Sequence, residues 1–142
     1  MNYSGDVSAR QAWDALSQTS NAVLVDVRSR AEWTFVGVVD LRSLKKEPVL
    51  VEWQVFPGMA VNTAFVSEVS AELQRRGVGK DAELYFLCRS GGRSRSAAEA
   101  MTAAGFVACY NVAGGFEGDV DDQHHRGQLV GWKAQNLPWA QG

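Results

Sequence analysis

Residues 84–105, Leu-Tyr-Phe-Leu-Cys-Arg-Ser-Gly-Gly-Arg-Ser-Arg-Ser-Ala-Ala-Glu-Ala-Met-Thr-Ala-Ala-Gly, run from an apolar strand through a glycine- and arginine-rich loop into an alanine-rich helix. Cys88 stands at the junction. A strand that turns through glycines into a helix offers backbone N–H groups and the positive helix end to whatever occupies the loop centre, so an anionic sulfur or a bound oxyanion is favoured there. Arg89, Arg93 and Arg95 add positive charge and push in the same direction. A cysteine ending an apolar strand is ordinarily a small core residue. Here the neighbours argue otherwise, because a core cysteine has no use for Gly91 and Gly92, and burying Arg89 and Arg93 unpaired would be costly.

Spacing narrows the chemistry. A cysteine phosphatase loop places its arginine six positions after the nucleophile, and that position here is Ser94; Arg93 comes one residue early. The expected ring of amides is thus smaller, suited to an extra sulfur atom on Cys88 rather than to a tetrahedral phosphate. Cys88-Arg89-Ser90-Gly91-Gly92-Arg93 resembles the six-residue active loop of the rhodanese-like sulfurtransferases, Cys-Arg-x-Gly-x-Arg or Thr. The resemblance continues in Leu24-Val25-Asp26-Val27-Arg28 with Glu32-Trp33 and Gly37, in Asn111-Val112-Ala113-Gly114-Gly115-Phe116, and in Gly131-Trp132 with Leu137-Pro138-Trp139. Val38-Val39 stands where many members carry His-Ile. Together these pieces cover roughly residues 8–139.

The resemblance implies an α/β fold, a central, mostly parallel five-stranded sheet with helices on both faces. It also implies sulfur transfer through a persulfide on Cys88, from a donor such as thiosulfate to cyanide, a thiol or a protein acceptor. Arg89, Arg93 and the loop amides of Ser90, Gly91 and Gly92 would hold the anionic donor. Ser90 and Ser94 fit two roles, as further donors to the anion or as caps of the following helix. Neither a metal nor an organic cofactor is called for. Two alternatives remain beside this reading: a sulfur-carrier or regulatory module without strong turnover, and a cysteine-dependent phosphatase or arsenate reductase.

The chain has 142 residues, 46% hydrophobic content and a net charge of −2. That size and composition fit one domain over residues 1–142 with a single core. The charge leaves no footprint for nucleic acid or an anionic membrane, and no apolar run approaches the roughly 20 residues of a membrane span. Met1-Asn2-Tyr3-Ser4-Gly5-Asp6 lacks the basic and apolar parts of a signal peptide. The expected location is the cytoplasm. In a parallel sheet Cys88 ends one strand and Cys109 begins the next, at opposite edges, so a disulfide is not expected and Cys109 reads as core.

Along the chain, strands and helices alternate. Ser8 is a predicted N-cap for a helix over Ala9–Gln18; Ala22–Val27 reads as a strand, Ser29–Phe35 as a short helix, and Val49–Trp53 as a strand bounded by Pro48. Pro57-Gly58 marks a turn. Asn62 is expected to cap a helix to Arg76, with Ala64, Phe65, Val69 and Leu73 inward. Strand Glu83–Leu87, helix Arg93–Ala104 and strand Val107–Val112 follow. Ligands of such sheets bind beyond the carboxyl ends of the strands, where Cys88 stands.

Other polar groups read as scaffold. Arg28 and Glu32 lie four residues apart, a helical pairing distance, and with Asp26 they are placed near the rim of the site. Asp119, Asp121, Asp122, His124 and His125 have metal-like composition but no zinc or calcium spacing, and read as a solvated loop. Trp53, Phe56, Pro57 and Met59 form an aromatic-rich stretch that either packs on the core or walls the catalytic loop.

Overall fold

The computed structural model describes residues 2–55 and 58–141. Its elements in chain order are β1 (Gly5–Val7), α1 (Ala9–Gln18), β2 (Val23–Asp26), α2 (Arg30–Phe35), β3 (Val38–Val39), a 3₁₀ turn (Arg42–Leu44), β4 (Val49–Leu50), β5 (Gln54–Val55), β6 (Ala60–Val61), α3 (Phe65–Arg75), β7 (Glu83–Leu87), α4 (Gly92–Ala103), β8 (Ala108–Val112) and β9 (Trp139–Ala140). Five strands form one sheet in the order β1-β8-β7-β2-β4, every pair parallel. β3 with β9 and β5 with β6 make two small antiparallel ribbons.

Strands buried on both faces read as continuous apolar runs, and β2 and β7 do. Their alternation divides the core. Val23, Val25, Val27, Leu84, Phe86 and Cys88 face α3 and α4. Leu24, Tyr85 and Leu87 face α1 and the C-terminal segment, with Trp132 and Leu137. The period-2 geometry of a strand therefore puts Cys88 on the α3/α4 side. Small residues on α4, Ala97 and Ala98, are completely buried there.

Local chemistry sets the helix starts. Ser8 caps α1 in a reciprocal box with Gln11, and Ser29 caps α2 in the same way with Glu32. α3 departs from the reading above: it begins at Phe65 with Ala64 as its exposed N-cap residue. Asn62 instead closes a turn just before it, its Oδ1 accepting the Ala64 N–H at 3.0 Å. β4 is also shorter than Val49–Trp53. Only Val49 and Leu50 pair in the ladder, after which Val51 and Trp53 donate to the carbonyls of Asp26 and Val27, and the chain leaves into the β5–β6 ribbon. Trp53 packs edge-on against Phe65 with centroids 5.0 Å apart, a core contact, while Met59 is exposed. Phe56 and Pro57 lie outside the described residues. β1, the fifth strand of the central sheet, and the short ribbon strands were not placed by the sequence reading.

Near the Cys88 end of the sheet, Asp26 and Arg28 form an ion pair with both side chains fully buried, Nη2 to Oδ2 at 2.8 Å. Arg28 also donates to the Gly37 carbonyl at 2.8 Å, and its guanidinium lies 4.2 Å from the centroid of the Phe116 ring. Glu32 does not pair with Arg28; the sequence spacing misassigned that partner. Among the described residues no helix is long and apolar enough to cross a membrane.

Removing one member of a buried pair strands the other charge in the core, at a cost of about 3–5 kcal/mol. Asp26→Ala is expected to lose about that much unfolding free energy in urea, and Asp26→Ala/Arg28→Met to recover part of it. A double variant no more stable than Asp26→Ala would mean that the pair is not what the single change disrupts.

Candidate active site

Cys88 follows the last residue of β7, and the chain reverses through Arg89–Gly91 into α4. Gly91, the N-cap residue of α4, has φ 119°, and a Cβ there would land on the Ala113 carbonyl. Glycine is required for both reasons. Its N–H donates to Cys88 Sγ at 3.1 Å. The other face of the loop is held by the segment after β8: Phe116 N–H donates to the Cys88 carbonyl at 2.8 Å, and the N–H groups of Glu117 and Gly118 both donate to the Arg89 carbonyl at 3.0 Å. Gly115 sits so close beneath that a Cβ would collide with the Arg89 carbonyl.

Those bonds orient the loop. In a trans peptide the C=O and the next N–H point in opposite directions, so anchoring the Cys88 and Arg89 carbonyls on residues 116–118 turns the Arg89 and Ser90 amides to the opposite side. The first-turn amides of α4 have no intrahelical acceptor either. The result is a short arc of donors beside the sulfur, continuous with the positive end of a 12-residue helix.

The expected site residues are not equivalent. Arg89 and Gly92 are exposed, and Ser90 is half-buried. Arg93 is committed: its two terminal nitrogens donate to the two carboxylate oxygens of Glu32 at 2.7 and 3.0 Å, and both side chains are about one-fifth exposed (19% and 20%). Its fork is therefore neutralised and turned to Glu32 of α2. Ser94 does not cap α4; it is fully buried, with Oγ 3.2 Å from Cys88 Sγ and 2.6 Å from Asn111 Oδ1. Arg95 is exposed, as expected of a solvated residue. Cys109 is fully buried and free, in contact with the Phe106 carbonyl, and burial pushes its thiol up.

One expectation is overturned. A site beyond the carboxyl ends of the strands is expected to open to solvent, yet Cys88 is only 2% exposed. α4 and β8 pack around it.

Two side-chain contacts near Cys88 escaped the sequence reading, which placed Glu32 at the rim but not opposite Arg93. Glu32 lies 61 residues from Arg93, too far for any local pattern. Asn111 carried a signal, a polar residue inside the apolar strand Ala108-Cys109-Tyr110-Asn111-Val112, but no reason to connect it with Ser94. The Asp119–His125 loop is tied by its own turn, with Asp121 Oδ1 accepting the N–H groups of Gln123 and His125.

The fold is rhodanese-like. The polysulfide-sulfur transferase homodimer of Wolinella succinogenes superposes with TM-score 0.61 at 17% identity over 99% of this chain and 80% of that one. A rhodanese-like domain protein of Staphylococcus aureus does so with TM-score 0.53 at 20% identity, over 79% and 87% of the two chains. The family model described as STR4 middle domain matches residues 4–142, and the chain belongs to that family. The crystal structure of Rv0390 from M. tuberculosis shares 48% identity with it at TM-score 0.87, covering 99% of both chains. An uncharacterized protein of Rickettsia conorii is 38% identical over 94% of this chain and 95% of its own. The thylakoid rhodanese-like protein of Oryza sativa subsp. indica is 33% identical over 95% of this chain, which spans 25% of the plant protein.

Burial pushes the Glu32 carboxyl up, but hydrogen bonds from Arg93 and from Ser29 outweigh it and hold the group down at about 2, from an ordinary 4.5. A carboxyl depressed in the folded state contributes stability that is complete above its unfolded value and is lost as pH falls through its folded one. Glu32→Gln is therefore expected to lower the urea midpoint at neutral pH, and the gap from wild type to narrow between pH 4.5 and about 2. A gap that widens on acidification would contradict the pairing.

Proposed function

We propose that the protein is a sulfurtransferase working through a Cys88 persulfide. The observation that carries this reading is the Cys88 loop: a sulfur receiving the Gly91 N–H, in a turn whose carbonyls are tied away and whose arginine comes one residue too early for a phosphate cradle. The Cys88 thiolate attacks the outer sulfur of a donor such as thiosulfate. A new S–S bond forms, the donor's own S–S bond breaks, and the electron pair leaves with sulfite. In the second step, cyanide or a thiolate attacks the outer sulfur, the persulfide bond breaks, and the pair returns to Cys88. Atoms and electrons balance without a metal or redox cofactor.

Loop amides and the α4 end stabilise charge on the transferred sulfur. Arg89, exposed at the rim, meets the sulfonate of the donor, while Arg93, locked by Glu32, shapes the wall. The phosphatase alternative is weaker on this geometry, since the position that would supply its guanidinium is Ser94, buried and bonded to Asn111. The sulfur-carrier alternative draws support from the 2% exposure of Cys88, which favours slow exchange with bulk acceptors. The acceptor, whether small thiol, cyanide or a protein, belongs to this proposal too, as does a reducing cytoplasmic setting.

Cys88→Ser is expected to abolish thiosulfate:cyanide transfer and Cys109→Ser to retain most of it, because only the first thiol reaches the loop. Arg89→Ala, which removes the cation assigned to the donor's sulfonate, should lower kcat/KM for thiosulfate by up to about 100-fold, the scale of losing one charged donor to the anion, and Arg95→Ala should change it little. Equal loss in both cysteine variants, with circular dichroism intact, would replace the single nucleophile by a two-cysteine mechanism.

A further inference from the structure

Beyond the Gly91 amide, Cys88 Sγ faces the Ser94 hydroxyl at 3.2 Å, and that hydroxyl lies 2.6 Å from Asn111 Oδ1. Asn111 Nδ2 in turn donates to Asp6 Oδ1 at 3.0 Å. A carboxylate only accepts, so Asp6 fixes the amide with its nitrogen toward β1 and its oxygen toward Ser94. Ser94 is fully buried and Asn111 is 4% exposed, so bulk water does not offer either an easy substitute partner. Tyr3 holds Asp6 from its outer side, its hydroxyl donating to Oδ1 at 2.8 Å.

The Ser94 hydroxyl has one proton and two acceptors facing it whenever Cys88 is ionised. At 2.6 Å the bond to the amide oxygen is short and strong. Turning the proton to sulfur would leave two oxygens at that distance with nothing between them, an unmade buried hydrogen bond. We propose that Asn111, oriented by Asp6, is a positioning residue that keeps the Ser94 proton off Cys88 and so presents an oxygen lone pair to the sulfur. The arrangement favours the states in which Sγ is uncharged over the bare thiolate. One is the thiol, whose S–H donates to Ser94 Oγ. The other, on the sulfur-transfer reading above, is the persulfide, whose charge sits on the outer sulfur beside the loop amides. Asn111 thereby biases the site toward holding its sulfur until an acceptor arrives.

The other charges around Cys88 are arranged so that this one proton matters. Arg93 of α4 is paired with Glu32 of α2, Asp26 of β2 with Arg28, Arg89 is at the rim, and Asp6 of β1 reaches the sulfur only through Asn111.

The test is the pH dependence of Cys88 alkylation by iodoacetamide, mapped by peptide mass. Asn111→Leu releases the Ser94 proton to the sulfur, and a hydrogen bond to a charged group is worth enough to move the midpoint down by about one to two pH units. Asp6→Asn, which lets the Asn111 amide turn over, should move it the same way by less. Asn111→Leu/Ser94→Ala should return it toward wild type, because no hydroxyl remains to donate; a general loosening of the core would not be reversed by a second deletion. An unchanged or raised midpoint in folded Asn111→Leu and Asp6→Asn overturns the proposal. Alkylation requires no sulfur transfer, so the two readings separate. A lowered midpoint with no persulfide on the wild type keeps the positioning role and removes the sulfur chemistry, and a persulfide with unshifted midpoints does the reverse.

Discussion

Everything about the candidate site depends on where two carbonyl groups point. The Cys88 and Arg89 carbonyls are held by the N–H groups of Phe116, Glu117 and Gly118, and peptide planarity then turns the amides of the same units to the opposite side. Gly91 and Gly115 are the positions at which this back-to-back packing leaves no room for a side chain. The Phe116 ring is fixed in its turn by Arg28 on one side and by Trp139, edge-on at 6.1 Å. The C-terminal segment ties in through Trp132, whose backbone N–H donates to Gly115 and whose indole donates to Pro138. A buried ion pair, an aromatic ring and the Cys88 turn are thus stacked in one column.

Charge is distributed unevenly around that column. Asp26 neutralises Arg28 in the core, and Glu32 neutralises Arg93 at the rim. Exposed Arg89 is left as the cation whose field is least cancelled. Fixed amides and a helix end stand beside a sulfur that is only 2% exposed, where such dipoles act far more strongly than they would in solution. A loop of this kind needs few formal charges. It needs donors that are already in place.

The strand-loop-helix unit at 83–104 was legible almost to the residue, because an apolar run, two glycines and an alanine-rich stretch each specify their own geometry. The same holds for the cap at Ser8. β1 was not legible: Gly5 and Asp6 are poor strand formers, and the three-residue segment becomes a strand because β8 offers it an edge. β4 was read too long, since an apolar run does not announce where its neighbour's ladder ends. Cys88 and its loop could be named from sequence, but Arg93's partner lies 61 residues away and Asp6 is 105 residues from Asn111. Side chains joined across that much chain leave no local pattern. The sulfur's burial was misjudged for the same reason, because the residues that cover it come from α4 and β8 together.

The central claim is that Cys88 carries the transferred sulfur, and intact-protein mass after incubation with thiosulfate tests it most directly. The account predicts a gain of one sulfur atom on the wild-type chain, located on the Cys88 peptide and lost on adding cyanide. An unchanged mass with thiosulfate and with polysulfide alike, on folded protein, would contradict it.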